Sequence, residues 1–213
     1  MRIHRFFVGT DLKLKKDFWL HDEAMLWQWN RVLRFHGGQE VILFDGVKTE
    51  RLYKIENLKK TEAHLVMITE IEPSMPKKHI YLFWSLLKKD NNELILQKAT
   101  ELGVSTFVPL ITDRTIKKDF NHERAKKVVI EASEQCGRFN IPSVREPMRL
   151  QTAIDDYKTK IQIYVCHKSD EKNQITSDKV GLIIGPEGGW SDAELAIFAR
   201  ENFTSISFSD FTL

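Results

Sequence analysis

The chain has 213 residues, enough for one large domain or two small ones with a real hydrophobic core. Hydrophobic residues make up 42% and charged residues 29%, which is the composition of a soluble globular protein and excludes a disordered or fibrous one. Lys and Arg number 32 against 30 Asp and Glu, a net charge of +2, so any contact with a polyanion must come from a local basic face and not from bulk charge.

The first segment, "MRIHRFFVGTDLKLKK", lacks the apolar centre of a signal peptide, and "RIHRFFV" reads as a short strand. "DEAMLWQWNRVLRF" carries Met25, Leu26, Val32 and Leu33 at helical spacing, with Trp27 and Trp29 among them, and predicts a helix. "QEVILFDG" is a strand closed by the turn signal Asp45-Gly46. "KTERLYKIENLKK" and "EAHLVMITEIE" follow with rough alternation. Together residues 1–72 read as a small meander curled into a barrel. Two prolines in "PSMPKK", 73–78, mark the boundary of a second domain, 73–213.

Beyond it strands and helices alternate. "HIYLFWSL" is a strand. "NNELILQKATELGV" is a helix with Asn91 or Asn92 as N-cap and Gly103 at its end. "TFVPLIT" is a strand that Pro109 weakens. "NHERAKKVVIEASEQCGR" is a helix ended by Gly137, and "LQTAIDDY" a short one. "KIQIYVCH" and "KVGLIIG" are strands, "SDAELAIFAREN" a helix and "SISFSD" a last strand. This alternation implies an α/β domain with a parallel sheet covered on both faces. No stretch is long and apolar enough to span a bilayer. The two cysteines, Cys136 and Cys166, fit no zinc pattern or disulfide framework and read as reduced thiols of a cytoplasmic protein. The seven histidines form no metal-binding spacing, so no metal is expected.

One stretch asks for an explanation. In "GLIIGPEGGWSDAEL", 181–195, a buried strand runs into Gly185, Pro186, Glu187, Gly188 and Gly189, and then into a helix opened by the capping box Ser191-x-x-Glu194. In open parallel sheets the loop from a strand's carboxyl end to a helix N-terminus is where ligands bind, and glycines there allow φ > 0 and close approach of the backbone. The loop lacks the Lys-Ser/Thr ending of a P-loop and does not match G-x-G-x-x-G. From spacing alone, a tight structural turn and a ligand-holding loop both remain open, and the ligand is not specified.

"LIIGPEGGWSDAEL" resembles the signature of the bacterial 16S rRNA (uracil-N3) methyltransferases, the RsmE family of the SPOUT superfamily. Four further segments resemble the family in order: "MRIHRFFV", "NRVLRFHGGQEVILFDG", "LILQKATELGVSTFVPLITDRT" and "IEASEQCGRFNIPSV". The resemblance implies a PUA-like β-barrel that binds RNA, followed by a SPOUT methyltransferase domain with a C-terminal trefoil knot. It implies S-adenosylmethionine (SAM) as cofactor, held by Ile184, Gly185, Pro186, Glu187, Gly188 and Gly189. It implies a 16S rRNA substrate in the 30S subunit, methylated at N3 of a uridine in the decoding region, and a homodimer. A non-catalytic RNA-binding protein and a SPOUT enzyme for another RNA are the alternatives. "FSDFTL" resembles the start of a family segment whose Arg-Thr-Glu-Thr-Ala core is not in this sequence, so the knot and the far wall of the pocket are expected to be incomplete.

Uridine N3 carries a proton, so the reaction needs a proton acceptor or donors for charge developing on O2 and O4. On the resemblance, Arg138 in "EQCGR" is the expected catalytic donor to the uracil or to a phosphate, against the alternative of a solvated arginine at a helix end. Glu134 and Gln135 are expected to position substrate, with Glu134 the carboxylate able to take a proton. Cys136 reads as a small packing residue. Arg31 and Arg34, three apart on the first helix, with Arg2 and Arg5, are candidate contacts to rRNA phosphates, or an ordinary solvated face. The basic stretch of Arg114, Lys117, Lys118, Arg124, Lys126 and Lys127 is diluted by Asp119 and Glu123 and reads first as a solvated surface, with RNA contact as the alternative. Lys98 and Glu101 fall in a matched segment, where a local structural role and an RNA role are equally open. Trp84, Trp190 and the N-terminal tryptophans read as core or interface.

Overall fold

The structure is a computed structural model that describes residues 3–9, 15–116, 119–167 and 175–207. The chain forms two compact units, Met1–Met75 with Ser133–Ile141, and Pro76–Ala132 with Pro142–Leu213.

In the first unit, strands β1 (His4–Phe7), β2 (Asp17–Leu20), β3 (Glu40–Phe44), β4 (Glu50–Leu58) and β5 (Ala63–Glu70) form one sheet in the order β1-β3-β4-β5-β2. β1 runs parallel to β3 and the other pairs are antiparallel, so the sheet is not the simple meander that alternation suggested. β2 gave no clear signal in the sequence. Alternate residues of β3 and β4, with Val41, Leu43, Tyr53 and Ile55 fully buried, close a core around Phe6, Leu26 and Trp29.

The predicted helix begins at α1 (Glu23–Trp27), where the Asp22 side chain accepts the Met25 N–H at 2.8 Å. It then widens into a π-helical turn over Gln28–Val32. The wider turn breaks the 3.6-residue period, and Val32, predicted to lie on the apolar face, is exposed. Ser133–Ile141 belongs with this unit because Glu134 Oε1 accepts the Phe7 N–H at 2.8 Å and the buried Phe139 ring lies 6.3 Å from that of Phe44.

The second unit is α/β. In chain order it holds β6 (His79–Ser85), α2 (Lys89–Glu101), β7 (Val104–Ile111), α3 (His122–Cys136, whose last turn from Ser133 belongs to the first unit), β8 (Ser143–Val144), β9 (Met148–Arg149), α4 (Leu150–Tyr157), β10 (Gln162–Cys166), β11 (Lys179–Ile184), α5 (Asp192–Arg200) and β12 (Thr204–Ile206). All strand pairs are parallel, in the order β12-β10-β11-β6-β7-β8, with β9 also on β7. The chain moves outward from β6 through β7, then returns to place β10 and β11 on the other side of β6. Its topological switch therefore lies between β6 and β11.

Asn92 is not a cap. Asn92 is buried, and its Oδ1 accepts from Trp84 Nε1 and the Leu87 N–H, both at 3.0 Å, while its Nδ2 donates to the Leu87 carbonyl; Lys88 holds the N-cap position instead. Pro109 is tolerated inside β7 for a specific reason. The Leu110 carbonyl accepts from Leu86 on the β6 side and the Phe107 carbonyl accepts from Arg145 on the β8 side. Pro109, two residues after Phe107, points its missing N–H to that second side, between the short pairings with β8 at Thr106–Phe107 and with β9 at Leu110–Ile111. Gly103 and Gly137, at φ +99° and +80°, follow the last turns of α2 and α3 as expected. Of the last predicted strand, Thr204–Ile206 pairs with β10, and "FSDFTL" lies outside the described residues.

Candidate functional site

The second unit's sheet presents three adjacent strand ends at one edge. Cys166 closes β10 in register with Ile184 of β11 on one side and Ile206 of β12 on the other, and the His167 N–H reaches the Ile206 carbonyl at 3.2 Å. Ile184 is 39% exposed, an uncovered aliphatic side chain at the mouth of the glycine loop. Burial pushes the Cys166 thiol up to about 12, so it stays protonated and acts as a small apolar surface.

The glycines of 185–189 serve different purposes. A Cβ on Gly185 would lie 2.9 Å from Cε2 of Trp190, which is buried and edge-on to Phe198 at 4.9 Å. Gly185 is therefore glycine because an indole packs on it, whatever the loop binds. Only Gly189 has a positive φ, +71°, and its N–H closes a turn onto the Pro186 carbonyl at 2.9 Å. Gly188 has neither constraint. A Cβ there would meet only Arg114 atoms, at ordinary contact distances of 3.6 and 3.7 Å. Pro186 is buried, while Glu187 and Gly188 are exposed. Gly188 is thus an exposed glycine that needs neither a positive φ nor a missing Cβ to avoid a clash, with the Arg114 stem lying along the side its Cβ would take.

The loop is held in place from β7. Ser191 and Glu194 form the predicted capping box: the Ser191 Oγ accepts the Glu194 N–H at 3.2 Å and Glu194 Oε2 accepts the Ser191 N–H at 2.9 Å. The second carboxylate oxygen of Glu194, buried with the rest of its side chain, accepts the Asp113 N–H at 3.0 Å. Ser191 Oγ donates to Asp113 Oδ2 at 2.6 Å, and Arg114 Nη1 donates to the Gly188 carbonyl at 2.5 Å. The capping box was legible in the sequence. Its extension to Asp113 and Arg114 was not, because it joins residues far apart in the chain.

A cavity of about 780 Å³ lies elsewhere in this unit, lined by Leu87, Leu96, Phe120 and Arg124 among others. None of its lining residues belongs to the glycine loop, and we favour the strand-end edge, where backbone and apolar surface converge. Among the described residues no cluster of His, Cys, Asp and Glu could hold a metal ion, and no helix is long and apolar enough to cross a membrane.

Comparison with known proteins gives the family. The family model described as an RNA methyltransferase domain matches residues 73–213, and that of an RNA methyltransferase PUA domain matches residues 31–68. A ribosomal RNA small subunit methyltransferase E from Aquifex aeolicus is 30% identical over 86% of this chain and 82% of its own. The chain belongs to the RsmE family of RNA methyltransferases. The RsmE protein of Rickettsia conorii is 28% identical over 97% of this chain and 88% of its own. Among solved structures, the Neisseria gonorrhoeae RsmE bound to S-adenosyl methionine superposes with a TM-score of 0.90 at 25% identity, covering 100% of this chain and 91% of the other. A putative methyltransferase of Legionella pneumophila in complex with SAM gives 0.88 at 28% identity, covering 100% and 92%. The expected SPOUT and PUA-like fold class holds for this RsmE-family chain.

The remaining candidate residues lie in the first unit. Arg138, just past α3, is half-buried; burial lowers its pKa, and its Nε donates to Asn140 Oδ1 at 2.9 Å. Glu134 spends one oxygen on the Phe7 N–H, so the carboxylate has a structural duty to β1. Gln135 is exposed. Cys136 is exposed too, which corrects its reading as a packing residue. Arg5 is drawn into an ion pair with the buried Glu50 and lies over the Phe44 ring at 5.3 Å, so its charge is neutralised inside the unit. Arg31 and Arg34 are both exposed, but they do not share a helical face. The π-helical turn stops at Val32, and Arg34 lies beyond it at φ +54°. Arg2 lies outside the described residues.

In the basic stretch Arg124 pairs with Glu93 and Lys126 with Glu123; Lys117 and Lys118 lie outside the described residues. Lys98 and Glu101 pair with each other at 2.9 Å, a local role. Trp84, Trp190 and Trp29 are core, whereas Trp19 and Trp27 are exposed.

Proposed function

We propose that this chain is a SAM-dependent methyltransferase that methylates N3 of a uridine in the decoding region of 16S rRNA, acting on the 30S subunit as a cytoplasmic homodimer. The observation that carries the reading is the loop 185–189, exposed at Glu187 and Gly188 and set beside an uncovered Ile184, in a chain matched along its length by SAM-bound structures.

SAM would supply a methyl carbon made electrophilic by its sulfonium. Uridine N3 would have to give up its proton to a base or to water to accept that methyl. The chain's own part is binding and orientation. Ile184 and Cys166 would cover apolar parts of the cofactor, and the backbone from Gly185 to Gly189 would receive its polar groups. The carboxylate of Glu187, exposed on the same loop, favours a cationic ligand. Pro186 and the Gly189 turn keep the loop in one shape before the ligand arrives. Arg138 serves as a donor to the RNA, with Glu134 and Gln135 positioning the segment that carries it. Arg31 and Arg34, exposed and cationic, supply phosphate contacts, with Arg2 as a further candidate.

The test is direct. The protein is incubated with labelled SAM and with 30S subunits that lack N3-methyluridine, and the modified base is mapped by mass spectrometry. N3-methyluridine in the decoding region is expected. Modification of another base would redirect the substrate assignment, and tight RNA binding with no SAM binding would replace the enzyme by an RNA-binding protein.

A further inference from the structure

Arg114 follows directly on the bonds that tie β7 to α5. Its Nη1 holds the Gly188 carbonyl, its Cβ and Cδ pass 3.7 and 3.6 Å from the Cβ position of Gly188, and Nη1 lies 3.8 Å from that of Gly189. The side chain thus runs along the two glycines. The backbone beneath it is fixed on several sides. Asp113 is tied through its N–H to Glu194 and through its carboxylate to Ser191. Thr112 and Thr115, both buried, close a turn: the Thr115 N–H donates to the Thr112 carbonyl at 3.1 Å, the Thr112 N–H to Thr115 Oγ1 at 2.9 Å, and the two hydroxyls meet at 2.8 Å.

Arg114 itself is exposed, and among the described residues no carboxylate lies within ion-pair distance of it. Arg124 and Lys126, from the same basic stretch, have carboxylate partners. One carbonyl occupies one nitrogen of a guanidinium that carries five donors in a rigid fork. What remains is a charged edge, already oriented, at the rim of the glycine loop. A cation there repels a sulfonium, so it suits the substrate side of the reaction and not the cofactor side. Its planar fork matches a phosphate oxygen pair.

We infer that Arg114 is an RNA-binding residue of the methyl-transfer site, bracing the loop through the Gly188 carbonyl while its free guanidinium edge takes a backbone phosphate of the substrate RNA. The inference rests on the reading that this loop holds SAM.

Arg114→Met keeps an aliphatic stem beside Gly188 and removes charge and donors; Arg114→Lys keeps the charge as a single point. Affinity for a small-subunit rRNA transcript is measured over a salt series, and affinity for SAM by calorimetry. For Arg114→Met the slope of log K against log salt should flatten by about one, with RNA affinity down about tenfold at about 0.1 M salt. SAM affinity should stay within about threefold of wild type, because the lost bond is to an exposed carbonyl. Arg114→Lys should restore the slope but not the full affinity, since one ammonium cannot serve both Gly188 and a phosphate in fork geometry. An unchanged slope for Arg114→Met overturns the inference, and so does a loss of SAM affinity equal to the loss of RNA affinity. A wild-type protein that fails to bind SAM while Arg114→Met still flattens the slope would sink the cofactor reading and leave the RNA contact standing.

Discussion

Glu194 accepts the backbone N–H of Asp113, 81 residues earlier, at 3.0 Å. Its other oxygen accepts the Ser191 N–H, so one buried carboxylate serves both as the N-terminal cap of α5 and as the tie to the end of β7. Glu194→Ala leaves two N–H groups without their acceptor and removes half of a capping box. Together these should cost about 2–3 kcal/mol. In a chain of this size that lowers the melting temperature by roughly 4–12 °C. Glu194→Gln keeps one oxygen acceptor but must turn an NH2 group toward one of the two donors, and should fall between. Differential scanning calorimetry of the three proteins checks the order; equal melting temperatures would mean that the tie contributes nothing.

Gly185 and Gly188 separate packing from binding. In Gly185→Ala the new methyl meets the Trp190 indole at 2.9 Å, and a buried indole wedged against Phe198 cannot move freely. A loss of about 1–3 kcal/mol of stability is expected, the usual cost of overpacking a core. Gly188→Ala meets nothing closer than 3.6 Å and needs no positive φ, so the melting temperature should stay within a few degrees. Its methyl adds bulk, beside the Arg114 stem, to the exposed loop proposed to hold SAM, and SAM affinity should fall at least about tenfold, or 1.4 kcal/mol. Unchanged SAM affinity in Gly188→Ala, measured by calorimetry, would return the loop to the status of a turn.

Much of this arrangement was legible because it depends on local chemistry. Ser191 and Glu194 are three residues apart, and a capping box is complete within that span. Gly103 and Gly137 mark helix ends because each supplies the left-handed residue that ends a helix. What stayed hidden depends on distant partners. Arg5 looked like a free cation until Glu50 appeared beside it, 45 residues on in the chain and buried. Asn92 looked like a cap because asparagines often are; its amide instead serves Trp84 and Leu87. The π-helical turn at Gln28–Val32 has no marker in the sequence, and it broke the argument that Arg31 and Arg34 share a face. Gly185 and Gly188 look alike in the sequence, and only the position of Trp190 tells them apart.

Cys166 gives a test in pH. Burial raises its thiol from an ordinary 9.0 to about 12. Above pH 9 the unfolded thiol ionises while the folded one keeps its proton, so the unfolded state binds fewer protons and stability falls as pH rises. This contribution is whole below pH 9 and is lost between 9 and about 12. Cys166→Ala should therefore flatten the alkaline fall in stability, and Cys136→Ala, at an exposed position, should not. Urea denaturation at pH 8, 9 and 10 measures it. Native alkylation at pH 8 should label Cys136 first; faster labelling of Cys166 would refute its description as a half-buried, protonated thiol.

Arg138 and Glu134 lie four residues apart around the end of α3, and their substitutions should behave differently. Arg138 is proposed to act on the RNA. Arg138→Ala should lower methylation at least about thirtyfold, some 2 kcal/mol, while SAM affinity changes less than about twofold. Equal losses of both would move Arg138 to the cofactor side. Glu134 is held by its bond to the Phe7 N–H, and Glu134→Gln keeps an oxygen for that bond. Its melting temperature should match wild type, whereas Glu134→Ala, which strands the N–H, should lose about 1–2 kcal/mol. A positioning group tolerates the amide; a proton acceptor does not. Glu134→Gln is therefore expected to retain most methylation with the pH dependence of kcat unchanged. Loss of the acid limb in that variant, with the protein fully folded, would make Glu134 the group that takes the uridine N3 proton.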